Sequence, residues 1–246
     1  PLIAVVRGTD TAAIAAATAQ LAALRTAMPA AATGQTPQSI AKNAGMRALA
    51  ALGVPEAFPL IAEQARATGE IRPRVDATLM LTQLTLPPAQ QAEVRTIMTT
   101  TLAAATGPEN AQYRNALLTV ILQLFEPSLL PTVLNSVKNA QENAQVRISA
   151  MSTYALLANK AEAATLKAAI DAEPTLEHDG IQEQLRPALP LIDVANSCDE
   201  NIACWRGKLT DSNPLIVRKA TVMLGRFGVG NAEAISALIP LLTSPT

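Results

Sequence analysis

Cys198 and Cys204 are the two residues of this 246-residue chain whose type and spacing could make a covalent cross-link. Six positions apart inside one helix, they would lie about 9 Å apart along its axis, which is too far for a disulfide. If Asp199 or Asn201 instead caps the following helix, Cys198 lies just outside that helix and can fold back. The sequence therefore predicts a Cys198–Cys204 disulfide, with two unpaired thiols in a cytosolic repeat protein as the alternative. Two thiolates without a nearby histidine lack the ligand number that zinc requires, so we predict no metal site.

The single histidine, His178, lies in a segment rich in carboxylates. Its acidic neighbours are Glu173, Glu177, Asp179 and Glu183. Negative charge nearby favours the imidazolium form, which would make this segment sensitive to pH. A solvated loop between two helical hairpins is the alternative.

Three arginines, Arg114, Arg147 and Arg218, each follow an apolar or aromatic residue that opens a predicted helix. They could form a ladder of positive charge along stacked helices. The alternative is that each packs its aliphatic stem on the helix and pairs with acidic residues of the adjacent turn. The sequence contains no glycine-rich phosphate loop, no Ser-His-Asp set and no isolated pair of carboxylates. We therefore predict no catalytic site and no cofactor.

The composition favours closely packed helices. Hydrophobic residues make up 49% of the chain but aromatic residues only 2%, so aliphatic side chains, methionine and alanine must fill the interior. This is typical of an all-α protein rather than a β-sandwich or barrel. The formal net charge of −1 gives no overall attraction to nucleic acid or anionic lipid. The longest apolar run, residues 117–125, is interrupted by Thr119 and Gln123 and is too short to span a bilayer.

Residues 217–242 contain the most complete structural unit, a pair of helices. The residues of its first helix that should face inward recur at three- and four-residue spacing: Val217, Ala220, Leu224 and Phe227. Gly228 and Gly230 then allow the left-handed geometry that ends a helix, and Asn231 caps the second helix. The inward residues predicted for that second helix are Ile235, Leu238, Ile239 and Leu242. Because neither helix can bury its stripe alone, the unit needs copies of itself on either side.

The opening of this unit recurs about every 35 residues, a period that predicts an array of helical hairpins rather than one compact core. The recurring positions are Ile40, Val75, Tyr113, Val146, Ile181 and Val217. The predicted repeats lie near residues 40–70, 75–105, 113–140, 146–170, 181–210 and 217–242. Together they make residues 1–246 a single array.

The fifth repeat is predicted to be the least regular. Its first helix should run from Ile181 to Ile192, with a kink or a restart where Pro187 and Pro190 interrupt it. Its second helix should run from Asp199 to Leu209. The residues of that helix expected to face inward are Ile202, Trp205 and Leu209.

A wider pattern of residue types marks the last unit. It comprises Asn213-Pro214, Val217-Arg218, Ala220, Leu224-Gly225, Phe227-Gly228 and the run from Ala234 to Leu242. This pattern resembles a bacterial HEAT or HEAT-like repeat, with a fair match at Val146-Arg147 and Tyr113-Arg114 and a poor one before residue 75. The resemblance implies a right-handed α-solenoid of about six hairpins, similar to armadillo arrays, whose surface binds or scaffolds other proteins.

We therefore favour a non-catalytic module that binds a protein partner through the second helices of its hairpins. From helix phase, the residues predicted to contact the partner are Glu63, Arg66, Arg95, Asn135, Lys138 and Lys167. A phycobilin-lyase-like enzyme is a second hypothesis, because such enzymes share this repeat, and it would need a chromophore-sized pocket. The di-iron hydroxylases of the family use repeated His–Glu pairs, and HEAT-like DNA glycosylases use a basic, aromatic-lined face. The sequence has neither.

A third hypothesis is a structural spacer in a larger extracytoplasmic protein. A short disulfide would indicate an oxidising compartment, periplasmic or extracellular. The chain starts at Pro1, and residues 241–245 resemble the linker at 209–214 that introduces the last unit. We therefore expect the array to be part of a longer protein.

Overall fold

A computed structural model describes residues 37–172 and 188–242, together with the isolated positions 12, 16, 19 and 23. The ranges 37–172 and 188–242 contain twelve α-helices and no β-strand. For this part of the chain the predicted all-α class is confirmed.

The helices follow one another through short turns. In chain order they are α1 (Pro37–Ala51), α2 (Phe58–Arg66), α3 (Ile71–Met80), α4 (Pro88–Ala104), α5 (Ala111–Gln123), α6 (Leu130–Lys138), α7 (Ala144–Leu157), α8 (Lys160–Asp171), α9 (Leu189–Cys198), α10 (Ile202–Gly207), α11 (Pro214–Phe227) and α12 (Ala232–Leu238). Short 3-10 segments lie at Pro55–Ala57, Pro108–Asn110, Pro127–Leu129, Lys208–Thr210 and Ile239–Leu242. Odd-numbered helices are the first helices of the predicted hairpins, and even-numbered helices are the second.

The chain divides into two compact units, residues 1–120 and 121–246, with the boundary inside α5. In the first unit α1 packs against α3, and α2 packs against both α3 and α4. The inward face predicted for α2 is confirmed, since Phe58, Ile61 and Ala65 are all buried. Gly53 adopts φ 67° just after α1, so the predicted glycine stop is present.

In the second unit each second helix packs against the next first helix, as in the pairs α6–α7, α8–α9 and α10–α11. Helices of the same type also touch their neighbours, as in α6–α8, α7–α9 and α9–α11. One contact departs from this order: α11 also packs directly against α7, two hairpins earlier. The intervening α9 and α10 have only ten and six residues, which leaves the longer α11 free to reach α7.

The fifth hairpin differs from its prediction in where its helices lie. Residues 181–187 fall outside the described part of the chain, and α9 continues to Cys198, six residues beyond the predicted end at Ile192. Pro190 is in the first turn of α9, where its missing N–H has no intrahelical partner to lose, so a helix starts here, in agreement with the predicted restart. Asn201 caps α10 through a 2.9 Å hydrogen bond from the Cys204 N–H.

The last hairpin follows the sequence pattern on one helix and departs from it on the other. Ala220 and Leu224 of α11 are buried as predicted, whereas Val217 and Phe227 are half-buried, and Asn231 caps α12 by accepting bonds from its first turn. The predicted inward stripe of α12 is wrong in part, because Ile235 and Ile239 are 50% and 55% exposed. The main contacts of α12 with other described helices are with α10 and α11, and they leave Ile235 and Ile239 half exposed.

The two glycines between α11 and α12 have different roles. Gly230 has φ 75°, the left-handed conformation, whereas Gly228 has φ −90°. A side chain at Gly228 would place its Cβ 2.3 Å from the Leu224 carbonyl oxygen and 2.4 Å from Cβ of Ala234. Gly228 is therefore required by close packing at the turn.

Buried cations close the C-terminal ends of second helices, where four carbonyls lack intrahelical partners. Arg114 donates from Nη1 to the Leu102 and Ala105 carbonyls at the end of α4, at 2.6 and 2.8 Å. Arg147 donates from Nε to the Val137 carbonyl near the end of α6, at 3.1 Å. Both side chains are buried, which agrees with the predicted packing of their aliphatic stems, and the bonds to helix-end carbonyls are a role that the sequence analysis did not predict. Arg218 is exposed and takes no such position.

We predict that Arg114→Met lowers the free energy of unfolding by about 1–3 kcal/mol, because it leaves buried carbonyls without their donor while keeping a side chain of similar length. The measurement is urea denaturation followed by circular dichroism. Arg218→Met is the matched control and should change the free energy by less than about 0.5 kcal/mol. Equal effects of the two substitutions would contradict the assignment.

Candidate partner-binding surface

The residues predicted to contact a partner occupy second helices in both units. Glu63 and Arg66 lie on α2 and Arg95 on α4, while Asn135 and Lys138 lie on α6 and Lys167 lies on α8. Arg66, Asn135, Lys138 and Lys167 are exposed. Glu63 and Arg95 are half-buried and therefore less available to a partner.

In the first unit two of these residues are engaged inside the fold. Arg66 pairs with Glu93 across α2 and α4 at 2.5 Å, with both side chains partly exposed. Glu63 interacts electrostatically with Lys42 of α1, whose side chain is buried. Burial lowers the pKa of Lys42 below its usual value, and the charge of Glu63 partly opposes that shift.

In the second unit a shallow groove of about 500 Å³ lies where α6 meets α8. Lys138 stands at its edge, and the rest of the lining comes from the end of α8: Ala164, Thr165, Ala168, Ala169 and Ala172. Lys167 lies beside this groove on the exposed side of α8 and pairs with Asp171 at 2.8 Å. The structure thus places one predicted contact residue on a groove with a mainly alanine floor.

A larger groove of about 710 Å³ lies in the first unit between α1 and α3. Its lining includes Ile40, which is exposed, and the ion pair Arg47–Asp76 at 2.8 Å. Sequence reasoning missed this groove because it assigned binding to second helices, whereas both walls are first helices. The available signal was the charged cluster at residues 70–76, directly before and within α3.

Lys219 of α11 is a buried charged residue that the sequence analysis did not identify. Its side chain is fully buried, and its Nζ donates to the carbonyls of Ala155 and Ala158 at the end of α7, the latter at 2.7 Å. Nζ also lies 5.9 Å from the centre of the Trp205 ring. Lys219 therefore closes the end of α7 as Arg114 and Arg147 close the ends of α4 and α6, a role that the sequence analysis did not predict.

Charged groups surround this lysine within the second unit. Arg226 donates to the Leu157 carbonyl at 2.8 Å and pairs with Glu162 through both of its terminal nitrogens, at 2.7 and 3.0 Å. Glu162 also completes a capping box with Asn159 at the start of α8. Burial lowers the pKa of Lys219 to about 7, opposed by Glu162 and assisted by Arg226.

Cys198 and Cys204 are joined, with an S–S distance of 1.92 Å and Cα atoms 5.3 Å apart. The bond connects the last residue of α9 to the first turns of α10. Asp199, between them, has φ 47°, and its carbonyl accepts a 2.6 Å bond from Nε1 of Trp205. Trp205 is buried as predicted, whereas Ile202 and Leu209 are half-buried.

Residues 37–172 and 188–242 contain neither a cluster of metal ligands nor a helix suited to cross a membrane. Within these ranges no group of three or more His, Cys, Asp or Glu side chains is arranged to hold a metal ion. In the same ranges, none of the helices combines the length and the hydropathy needed to cross a membrane. His178 and its acidic neighbours lie outside the described residues.

We predict that the free energy of unfolding rises by about 2 kcal/mol between pH 7 and pH 9 through Lys219 alone. In this window the unfolded chain, with a lysine pKa of 10.5, binds more protons than the folded chain, whose Lys219 has a pKa of about 7. Raising the pH therefore stabilises the folded state. The measurement is urea denaturation at several pH values. The slope of the free energy of unfolding against pH is compared between the wild type and Lys219→Met.

The surface substitution Lys167→Met is the control and should keep the slope of the wild type. A Lys219→Met protein with that same slope would contradict the assignment. The window stops at pH 9 because burial and Glu162 raise the pKa of Tyr154 to about 12. Above pH 10 the unfolded tyrosine loses its proton first, and this destabilises the folded state.

Comparison with protein-family models, curated proteins and solved structures finds no match to this chain. The resemblance to HEAT-like repeats thus rests on the residue pattern of the last unit and on the helical hairpins described above.

Proposed function

We propose that the chain is a single HEAT-like repeat array, a right-handed α-solenoid that acts as a non-catalytic protein-binding module. The observation that carries this proposal is the pattern of helix contacts inside each unit. Second helices touch the next first helix, and helices of one type touch their neighbours of the same type. Stacked hairpins bury their apolar stripes in this way, and each repeat then presents one helix to a common surface.

The groove at α6 and α8 supports the second helices as the binding side. Its alanine floor offers a close approach to a partner backbone, and Lys138 supplies a charge at the rim. Lys167 and Asn135 extend the polar edge along the same two helices. Such a surface combines an apolar centre with a polar rim, the arrangement found in protein interfaces.

The contact between α7 and α11 is a local departure from simple stacking. It connects the fourth and sixth hairpins past a short fifth one and is held by Lys219 and Arg226. In the proposed array this contact stabilises the fourth hairpin, because Lys219 and Arg226 of the sixth hairpin donate hydrogen bonds to the end of α7. This makes the surface presented by α6 and α8 more rigid, which lowers the entropic cost of binding.

The binding proposal is tested by affinity capture from an extract of the source cells, with quantitative mass spectrometry. Lys138→Ala combined with Lys167→Ala should reduce the amount of the captured partner at least about fivefold, because two contacts at the interface edge are lost. Arg218→Ala, an exposed cation on a first helix, is the matched control and should capture the wild-type amount. If the double variant captures the wild-type amount of partner, the assignment of the binding surface to the second helices is wrong.

A second function, a structural spacer in an extracytoplasmic protein, is favoured by the Cys198–Cys204 bond. We expect protein purified from its native compartment without reductant to show no free thiol when titrated in denaturant. Two free thiols per chain would remove the support for an oxidising compartment. The protein treated with a dithiol reductant is the control and should show two.

A further inference from the structure

The turn between α9 and α10 has a backbone geometry that is unusual for the residue that occupies it. Asp199 follows Cys198 directly and has φ 47° and ψ −122°, and the Asn201 N–H donates to the Cys198 carbonyl at 2.9 Å. These angles fit the first central position of a type II′ turn, where glycine is favoured because it lacks a Cβ. Another residue adopts this conformation at a cost, so it persists only where the surroundings hold it.

Two contacts hold this turn in place. The disulfide ties the turn covalently to α10, because Cys204 belongs to that helix. The Asp199 carbonyl also accepts the 2.6 Å bond from Nε1 of Trp205, whose side chain is 0% exposed. Of these two contacts, only the disulfide can be removed without changing a residue. A change of Asp199 to negative φ would then reorient the peptide that carries its carbonyl and break the bond to the indole.

Trp205 connects this turn to the packing of α11. It is the buried residue of the six-residue helix α10, so its indole anchors α10 on α11. The centre of the indole lies 5.9 Å from Nζ of Lys219, which donates to the Ala158 carbonyl at the end of α7 at 2.7 Å. Release of the indole would therefore let water reach the ammonium group and weaken the contact between α7 and α11.

We propose that the disulfide is a redox switch, whose reduction by a dithiol releases the turn at Asp199 and, through the indole of Trp205, loosens the contact between α11 and α7. This inference goes beyond partner binding and does not depend on which side of the array binds a partner. The dithiol would react first at Cys204, because Cys204 is half-buried whereas Cys198 is 1% exposed.

The exchange is a two-electron reduction of the chain. A thiolate of the dithiol attacks Sγ of Cys204 and forms a mixed disulfide. The electron pair of the broken S–S bond goes to Sγ of Cys198, which takes a proton. The second thiolate of the dithiol then attacks the reductant sulfur of the mixed disulfide and releases Cys204 as a thiol. The chain gains two electrons and two protons, and the dithiol becomes an intramolecular disulfide.

Hydrogen exchange of the indole N–H, followed by NMR in the oxidised and the reduced full chain, tests this switch, because Trp205 is the single tryptophan. Reduction should increase the exchange rate at least about tenfold, since a covalent loop no longer restricts opening of the turn. The helical circular dichroism should change little. Cys198→Ser combined with Cys204→Ser should show the same fast exchange without any reductant.

Asp199→Gly is the matched variant, because glycine occupies a φ of 47° without a Cβ penalty. Its turn should keep its geometry without the disulfide, so reduction should leave the exchange rate of the indole N–H nearly unchanged. An Asp199→Gly protein that exchanges as fast as the wild type after reduction overturns the proposal. So does a wild type whose indole is equally protected in both states, or one that loses its helical signal on reduction.

Lys219 gives a second readout of the contact between α11 and α7. Reduction should raise the pKa of Lys219 towards the usual lysine value, because water replaces part of the apolar surroundings that lower it. The titration of its Cε signal by NMR measures this, and an unchanged midpoint would contradict the link from the turn to α11. None of these variants changes Lys138 or Lys167, so partner capture tests the proposed function separately.

Discussion

The bond between Lys219 and the end of α7 is the interaction on which the packing of the second unit depends. The last carbonyls of a helix have no intrahelical partner and carry a partial negative charge. In α7 the residues around this end, from Tyr154 to Ala158, are all buried, so water cannot satisfy them. Lys219 supplies donors to two of these carbonyls and Arg226 to a third. Burying an ammonium group is costly, and these bonds together with the nearby Glu162 offset part of that cost; the remainder lowers the pKa of Lys219 to about 7.

This constraint connects several features that are distant in sequence. Trp205 packs beside the Lys219 ammonium, and its indole N–H is held by the Asp199 carbonyl. Asp199 lies in the turn that the Cys198–Cys204 bond closes, where its φ of 47° is unusual for a residue other than glycine. The disulfide therefore fixes the turn at Asp199. The carbonyl of that turn positions the indole of Trp205 beside the buried ammonium group of Lys219. The same need for donors is met in other hairpins by Arg114 and Arg147, which reach the ends of α4 and α6.

Local rules predicted the helical hairpins well because capping and periodicity depend on near neighbours. The inward face of α2, the glycine stop after α1, the asparagine caps of α10 and α12 and the buried Trp205 all followed from spacing. Lys219 could not be predicted in this way. Arg218 and Lys219 differ by one position, about 100° around the helix, and only the location of the α7 end decides which of them is buried. The stripe of α12 was misjudged for a related reason: periodicity marks a face that can be covered, not whether a neighbour covers it.

The carbon-13 chemical shifts of the lysine Cε atoms, followed by NMR from pH 5 to pH 11, test the buried cation most directly. The account predicts one lysine signal that titrates near pH 7 and is absent from the spectrum of Lys219→Met. A contradictory result would be a Lys219 signal, identified by its loss in Lys219→Met, that titrates near pH 10.5. The Lys219 amine would then be solvated, and its bonds to the end of α7 would not form in solution.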